Sequence, residues 1–524
     1  MRLALTVTIG LTLTGVLAGA VPGTAASAPS APRPRAALSA PPLAAYESQH
    51  LTWGPCPAGQ QDLVAAGAQC TEVTVPLDYA APRGRTIRVA VSRVKAAPGA
   101  HRRGILLSNP GGPGGTGLST TLALRPALKD VADRYDLIGF DPRFLGESTP
   151  LRCAAPAPRP PVPSGTPSSA RADFDESVAA ARDTARRCHA EGDNAALLPH
   201  ASTRNVARDV DVIRAALGER VLSYYGVSYG ADLGAVYAQL FPRRVDRMVI
   251  DSSTDPSDTQ YELFRSSGRP AEQGLDEWAA WAAARHGTYR LGRTPREVRH
   301  TVEGLLDRAE RRPFAVDGQR VGAPVLRMIL KQFVQHGEYD AALADLSVEL
   351  VDVAAGRPAG PQLKQMIAML ASPELESGMT GGAIFMCGDG GWPAGGWPAD
   401  PETYWKNSRR SRATQPVFGP FVNGMIAPCA FWESAPREPG TRIGNDVPVL
   451  MLQARRDNNV PYEGAVALHR RLTGSRLVTA DIRSHGVYGR GTDPRLRPVP
   501  CADRAVNDYL RGGALPARDV VCAP

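Results

Sequence analysis

From Val221 to Phe241 the chain changes character twice within a short span. Val221 to Tyr225 is short, apolar and aromatic, Gly226-Val227-Ser228-Tyr229-Gly230 follows at once, and Ala231 to Phe241 is a helical run. A strand that gives way to a helix through so few residues must turn sharply, and glycines at 226 and 230 let strand and helix pack beside the turn. Ser228 then sits at the apex in a strained conformation with its hydroxyl projecting. A chance Gly-x-Ser-x-Gly is common in glycine-rich chains, and the strand before and helix after it argue against chance here.

That unit fixes the expectation for the rest of the chain. Strand-like runs recur at Ile87 to Val94, Gly104 to Leu107, Tyr135 to Phe140, Val245 to Ile250, Val447 to Leu452 and Arg476 to Thr479. Helical spacing appears between them, as in Val206, Val210, Ile213 and Leu217 of Arg204 to Leu217, and again at Val466 to Leu472. Alternation of this kind predicts an α/β fold, a mainly parallel sheet with helices on both faces. From about Pro256 to Phe421 the pattern is helical, with Val325, Met328, Ile329 and Phe333 on one face and Leu343, Leu346, Leu350 and Val353 on another. The expected organisation is one core, residues 46–255 and 426–524, interrupted by a helical cap insertion at 256–425. No internal repeat is present, and Gly388 to Pro401 reads as a loop by its glycines and prolines.

With 524 residues, 43% hydrophobic and 21% charged, the composition is that of a folded globular chain and excludes wholesale disorder or a polytopic membrane protein. The net charge of +8 includes Arg2, Arg33 and Arg35 in an acid-free N-terminal stretch, which leaves about +5 elsewhere (8 − 3). That is a weak basis for nucleic-acid binding, and none is expected. Met1, Arg2, an apolar run from Leu3 to Ala20 and small residues to Ala28 have the layout of a secretory signal peptide, assigned to 1–28. Both Ala18-Gly19-Ala20 and Ala26-Ser27-Ala28 fit a cleavage site, and the alternative is a membrane-anchoring helix, weakened by Gly10, Gly15 and Gly19. Residues 29–45 read as a disordered leader or pro-segment. The chain is therefore expected outside the cell, without stable membrane association and as a monomer. Eight cysteines in an exported chain suggest four disulfides. Of the 105 possible connectivities, the one expected follows their order along the chain: Cys56 with Cys70, Cys153 with Cys188, Cys387 with Cys429, and Cys501 with Cys522. No Cys-x-x-Cys pair exists and the histidines do not cluster, so neither a metal nor any other cofactor is expected.

A serine at such a turn is a nucleophile only if a base is held beside it by a third group. In the Ser, acid, His order that goes with the strand-turn-helix motif, the base follows the last strand. His469 lies in a helical run, whereas His485, in Ser484-His485-Gly486, is on a loop and is the candidate base. Asp457, after Val447 to Leu452, is the candidate acid. It could instead cap the turn Asp457-Asn458-Asn459-Val460-Pro461, and Asp251 is its main competitor. Acyl transfer also needs two amides for the oxyanion. Tyr229 is expected to supply one, and Gly112, with Gly111 close behind, the other, from Asn109-Pro110-Gly111-Gly112-Pro113-Gly114-Gly115. A phosphate-cradling role for that loop is disfavoured because the Lys-Ser or Lys-Thr ending is missing.

Gly111 to Gly115, Phe140-Asp141-Pro142-Arg143, Gly226 to Gly230, Asp457 and His485 together resemble the proline iminopeptidase group of α/β hydrolases, and more closely the secreted tripeptidyl aminopeptidases of actinobacteria. The C-terminal stretch from Ser484-His485-Gly486 through Cys501 and Asp508-Tyr509-Leu510 to Cys522 is similar to their terminal segment. The resemblance implies an α/β-hydrolase fold with a helical cap, and a serine exopeptidase acting on peptides with a free amino terminus. It also implies an acidic residue that binds the substrate ammonium. Asp389, in Phe385-Met386-Cys387-Gly388-Asp389, matches the family segment, although a local turn would use an aspartate equally well. Two positions depart from the pattern. Phe144 stands where the family usually has glycine, which implies a reshaped substrate pocket, and Ser484 replaces a common glycine. A carboxylesterase would use the same triad, and a non-catalytic member of the fold is the alternative from another class.

Overall fold

The computed structural model describes residues 43–154, 166–258, 260–389, 396–490, 493 and 495–523. The expected signal peptide, the leader up to residue 42 and residues 390–395 of the glycine-rich loop after Asp389 lie outside them.

Ten strands form one sheet: β1 Gly54–Pro55, β2 Gln69–Pro76, β3 Thr86–Val94, β4 Gly104–Asn109, β5 Tyr135–Phe140, β6 Leu222–Val227, β7 Val245–Asp251, and, after a hairpin of β8 Phe314–Val316 and β9 Gln319–Val321, β10 Val449–Ala454, β11 Arg476–Ala480 and β12 Val520–Cys522. Their spatial order is β1-β2-β3-β5-β4-β6-β7-β10-β11-β12. From β5 to β12 the neighbours are parallel, and β1, β2 and β3 add antiparallel pairs at one end. Every residue of β10 is buried because both faces are covered. Val449 and Met451 join the cluster with Val206, Val210 and Val236, while Leu450 and Leu452 face the opposite cluster with Val506 and Leu510. This is the period-two alternation of a strand packed between helical layers.

Between β7 and β10 the described chain is helical apart from the hairpin, with a core of its own around Trp278, Leu306, Ile329 and Leu346. In the helix Ala323–Phe333 the buried face is Leu326, Ile329 and Leu330, so the expected face is rotated by about one residue and Val325 is only partly buried. A helix that sequence reasoning did not assign, Ala170–Ala190, also belongs with this layer. Phe174 and Ala181 pack with Tyr261, Tyr404 and Ile426, and Arg320 pairs with Asp173. The unassigned helix Pro500–Gly512 covers one sheet face. All four disulfides join the expected partners: Cys56–Cys70, Cys153–Cys188, Cys387–Cys429 and Cys501–Cys522.

Candidate active site

The turn after β6 has the conformation its glycines predict. Ser228 adopts φ 58° and ψ −129° at the start of the helix Tyr229–Leu240, a left-handed conformation that costs a non-glycine residue about 1–3 kcal/mol. A Cβ on Gly226 would stand 2.1 Å from the Gly230 carbonyl oxygen, and one on Gly230 would stand 2.3 Å from that of Asn109. Neither position tolerates a side chain, so strand, turn and helix close on one another and on the end of β4.

The structure brings Asp457 and His485 together. His485 Nδ1 lies 2.9 Å from Asp457 Oδ2, and since a carboxylate only accepts, Nδ1 carries a proton and in the neutral ring Nε2 keeps its lone pair. The two roles weighed for Asp457 fall to different oxygens. Oδ1 accepts from the Asn459 and Val460 amides, each at 2.9 Å, and Oδ2 takes His485 and the Gln453 amide. Burial opposes charge on the imidazole, but the charge and hydrogen bond of Asp457, with Asp251 in support, outweigh it and leave the His485 pKa raised. No hydrogen bond joins Ser228 to His485 among the described residues, and such bonds commonly form only with substrate present. His469 bonds Ser475 and Asp519 instead. Asp251, the competing acid, makes no hydrogen bond to the imidazole.

On the other side of Ser228 lies the glycine loop. A Cβ on Gly111 would come within 2.4 Å of Val227 O and 3.1 Å of Ser228 Cβ and Tyr229 N. The Gly111 amide is occupied by Asn109 Oδ1 at 2.9 Å, whereas the amides of Gly112 and Tyr229 have no acceptor among the described residues. The Asp-Pro-Arg segment holds this region from behind. Asp141 Oδ1 accepts from the Gly117 and Leu118 amides, and buried Arg143 makes a two-pronged pair with Asp209. Phe144 has φ 72°, which accounts for a glycine being usual there. Its side chain is buried in the core.

Asp389 ends the helix Pro373–Gly388 and has both oxygens engaged by Thr203, Oδ1 with the amide at 2.7 Å and Oδ2 with the hydroxyl at 2.6 Å. Thr203 Oγ1 is in turn 2.7 Å from the Tyr229 hydroxyl. Burial pushes the Asp389 carboxyl up to about 6. It borders a crevice with Ser202, Arg204, Gly388, Arg437 and Glu438.

Sequence reasoning missed the groups by which the helical region between β7 and β10 holds the loops of Asp457 and His485. Lys331 Nζ donates to Asn458 O at 3.2 Å and Asn459 Oδ1 at 3.0 Å, and burial lowers its pKa to about 8. Asn458 Nδ2 donates to Val334 O at 2.7 Å. Arg483 pairs with Asp340, and Ser484 Oγ meets His336 Nδ1 at 3.1 Å, a contact the usual glycine could not make. Burial pushes His336 down to about 4, so its ring is neutral near pH 7. Hydrophilic residues in an otherwise apolar helix, such as Lys331 beside Ile329 and Leu330, were the available signal.

Comparison with known proteins agrees with this architecture. Residues 104–308 match the family model described as alpha/beta hydrolase fold, and residues 415–522 the one described as TAP-like protein. The chain is 38% identical over 476 residues to a tripeptidyl aminopeptidase of Streptomyces coelicolor, covering 87% of this chain and 83% of that protein. It is 29% identical over 509 residues to the serine protease Hip1 of Mycobacterium tuberculosis, covering 90% and 91% of the two chains. A Mycobacterium tuberculosis protein named carboxylesterase B is 29% identical over 478 residues, covering 87% and 86%.

Proposed function

The chain belongs to the tripeptidyl aminopeptidase family of α/β-hydrolase serine peptidases, and from that premise we propose that it is a secreted exopeptidase releasing short peptides, tripeptides above all, from free amino termini. The observation that carries the proposal is the left-handed Ser228 at a helix N-terminus beside a loop whose histidine is oriented by a buried aspartate. In this reading Ser228 Oγ attacks the scissile carbonyl as His485 Nε2 takes its proton. The amides of Tyr229 and Gly112 receive the oxyanion, each worth roughly 10²- to 10³-fold in rate. His485 then gives the proton to the leaving amine, and the acyl-enzyme on Ser228 is hydrolysed by water activated in the same way. Asp457 keeps the proton on Nδ1 throughout. No step calls for a cofactor.

Asp389 is the proposed anchor for the substrate ammonium, a role its lone pairs could share with the Thr203 contacts. Export is supported by the layout of the first residues and by four disulfides, which persist in oxidising surroundings. Among the described residues no helix is long and apolar enough to cross a membrane.

The test compares an Ala-Pro-Ala anilide with its N-acetylated form, using the mature protein and Ser228→Ala. Cleavage of the free form alone, lost in the variant, is expected. Inertness toward both, with a short acyl ester cleaved through Ser228, would replace the peptidase by an esterase, the activity that the carboxylesterase B relative brings to mind.

A further inference from the structure

Where β7 ends, Asp251 and Ser252 touch both halves of the proposed site. The Asp251 carbonyl oxygen accepts from the amide of Ser228 itself at 2.9 Å. Its carboxylate faces the other way: Oδ2 accepts from the Val487 amide at 2.9 Å and the Tyr488 amide at 2.8 Å. Ser252 Oγ accepts from the Gly486 amide at 2.9 Å, and the same hydroxyl lies 3.2 Å from Asp251 Oδ1. The three successive amides that follow His485 therefore converge on two adjacent side chains, which hang from the strand end that also holds the nucleophile's amide.

The arrangement is built, not incidental. Asp251 and Ser252 are completely buried, and buried acceptors of this kind are retained where they satisfy donors that would otherwise be stranded. Ser252 has φ 57°, a backbone state a serine adopts only when its surroundings hold it there. The Tyr225 hydroxyl, 3.3 Å from Asp251 Oδ2, completes the shell from β6. Asp457 fixes the rotation of the imidazole through one bond to Nδ1, but one bond to the ring does not set how far the loop stands from Ser228. A side chain of fixed length between two backbones does.

We infer that Asp251 and Ser252 are positioning residues that hold the His485 loop in register with the nucleophile turn, so that the base is delivered to Ser228 by backbone hydrogen bonds. The inference rests on the peptidase proposal above. Misplacement of a catalytic group by about 1 Å costs on the order of 10²-fold in rate, and the loss falls on the chemical step, not on substrate binding.

Steady-state hydrolysis of the free-amino Ala-Pro-Ala anilide, with the rate of Ser228 labelling by a fluorophosphonate, tests this on the full chain. Asp251→Ala is expected to lower kcat about 100-fold and Ser252→Ala about tenfold, with KM within about twofold and labelling slowed in parallel. Asp251→Asn keeps an oxygen acceptor for the two amides and is expected to restore kcat to within about fivefold of the parent. Unchanged kcat in folded Asp251→Ala and Ser252→Ala overturns the inference. So does an Asp251→Asn variant as impaired as the alanine, since that would make charge and not placement the cause. If Asp251→Ala does not fold, Ser252→Ala decides by the tenfold criterion. Ser228→Ala and His485→Ala in the same assay keep the two ideas apart: parental turnover in either sinks the peptidase reading, whereas two dead controls beside an intact Ser252→Ala sink only the positioning role.

Discussion

The two flanks of Ser228 are held in opposite ways. On the glycine-loop flank the closest approaches are backbone against backbone, with no space for a side chain at Gly111 or Gly114, and the side chains of Asn109 and Asp141 serve only to bond backbone amides of the loop and the segment after it. Gly111 lies against Val227 O, and a Cβ on Gly114 would stand 2.4 Å from Gly382 N and 2.8 Å from Gly378 O, in the cap helix Pro373–Gly388. On the base flank the contacts are polar side chains: Asp457 on His485, Lys331 on the acid loop, Ser484 on His336 and Arg483 on Asp340. Steric fit of the first kind does not titrate and fails abruptly when a methyl is added. Hydrogen-bonded placement of the second kind fails by degrees and responds to pH. The cap reaches both flanks, through glycines on one and through a lysine, a histidine and an aspartate on the other.

The comparison breaks completely only at the centre. Ser228→Ala is expected to reduce kcat by about 10⁴-fold or more, and adding His485→Ala should cost little further, because the two act as a unit; a double variant much slower than either single one in burst and steady-state assays would contradict this. Next in size, Gly114→Ala pushes a methyl into the cap-helix backbone and should cost about 10²-fold in kcat if the loop supplies an oxyanion donor, with the same pH profile as the parent. A shifted profile would show that the flanks are not independent.

The base flank should give smaller, pH-shaped effects. Lys331, with its pKa near 8, is positive below that pH and lowers the His485 pKa. Lys331→Met removes that charge, so the imidazole holds its proton to higher pH. The acid limb of kcat/KM is then expected to move to higher pH, so activity falls at pH 6 and stays near parental at pH 8. A limb moving down would refute the electrostatic assignment. Smallest, Ser484→Gly removes the link to His336 and should cost no more than about fivefold in kcat, the worth of one hydrogen bond, read from progress curves at matched substrate.

The seven central strands, the turn at Ser228 and the pair Asp457 and His485 were legible because each rests on local pattern, apolar runs, glycine spacing and chain order, whereas the outer strands Gly54–Pro55, Gln69–Pro76 and Val520–Cys522 were not read as strands. Tyr135–Phe140 was placed to the residue, whereas Ala170–Ala190 and Pro500–Gly512 were passed over although their periodicity was present. The cap face of Ala323–Phe333 came out one residue off because Arg327 and Lys331 are buried there by partners elsewhere in the chain, Val417 O and the acid loop.

The α/β order, the serine at a strained turn and the candidate acid and base that follow it can be read from the chain alone, since near neighbours along the chain decide those. It takes the folded chain to show that Asp457 divides its oxygens between turn and imidazole, that Asp251 bonds the backbone and not the ring, and that Asp389 is bound to Thr203. A carboxylate's role is set by which donors surround it, and in each of these three cases a decisive donor comes from a segment distant in the chain.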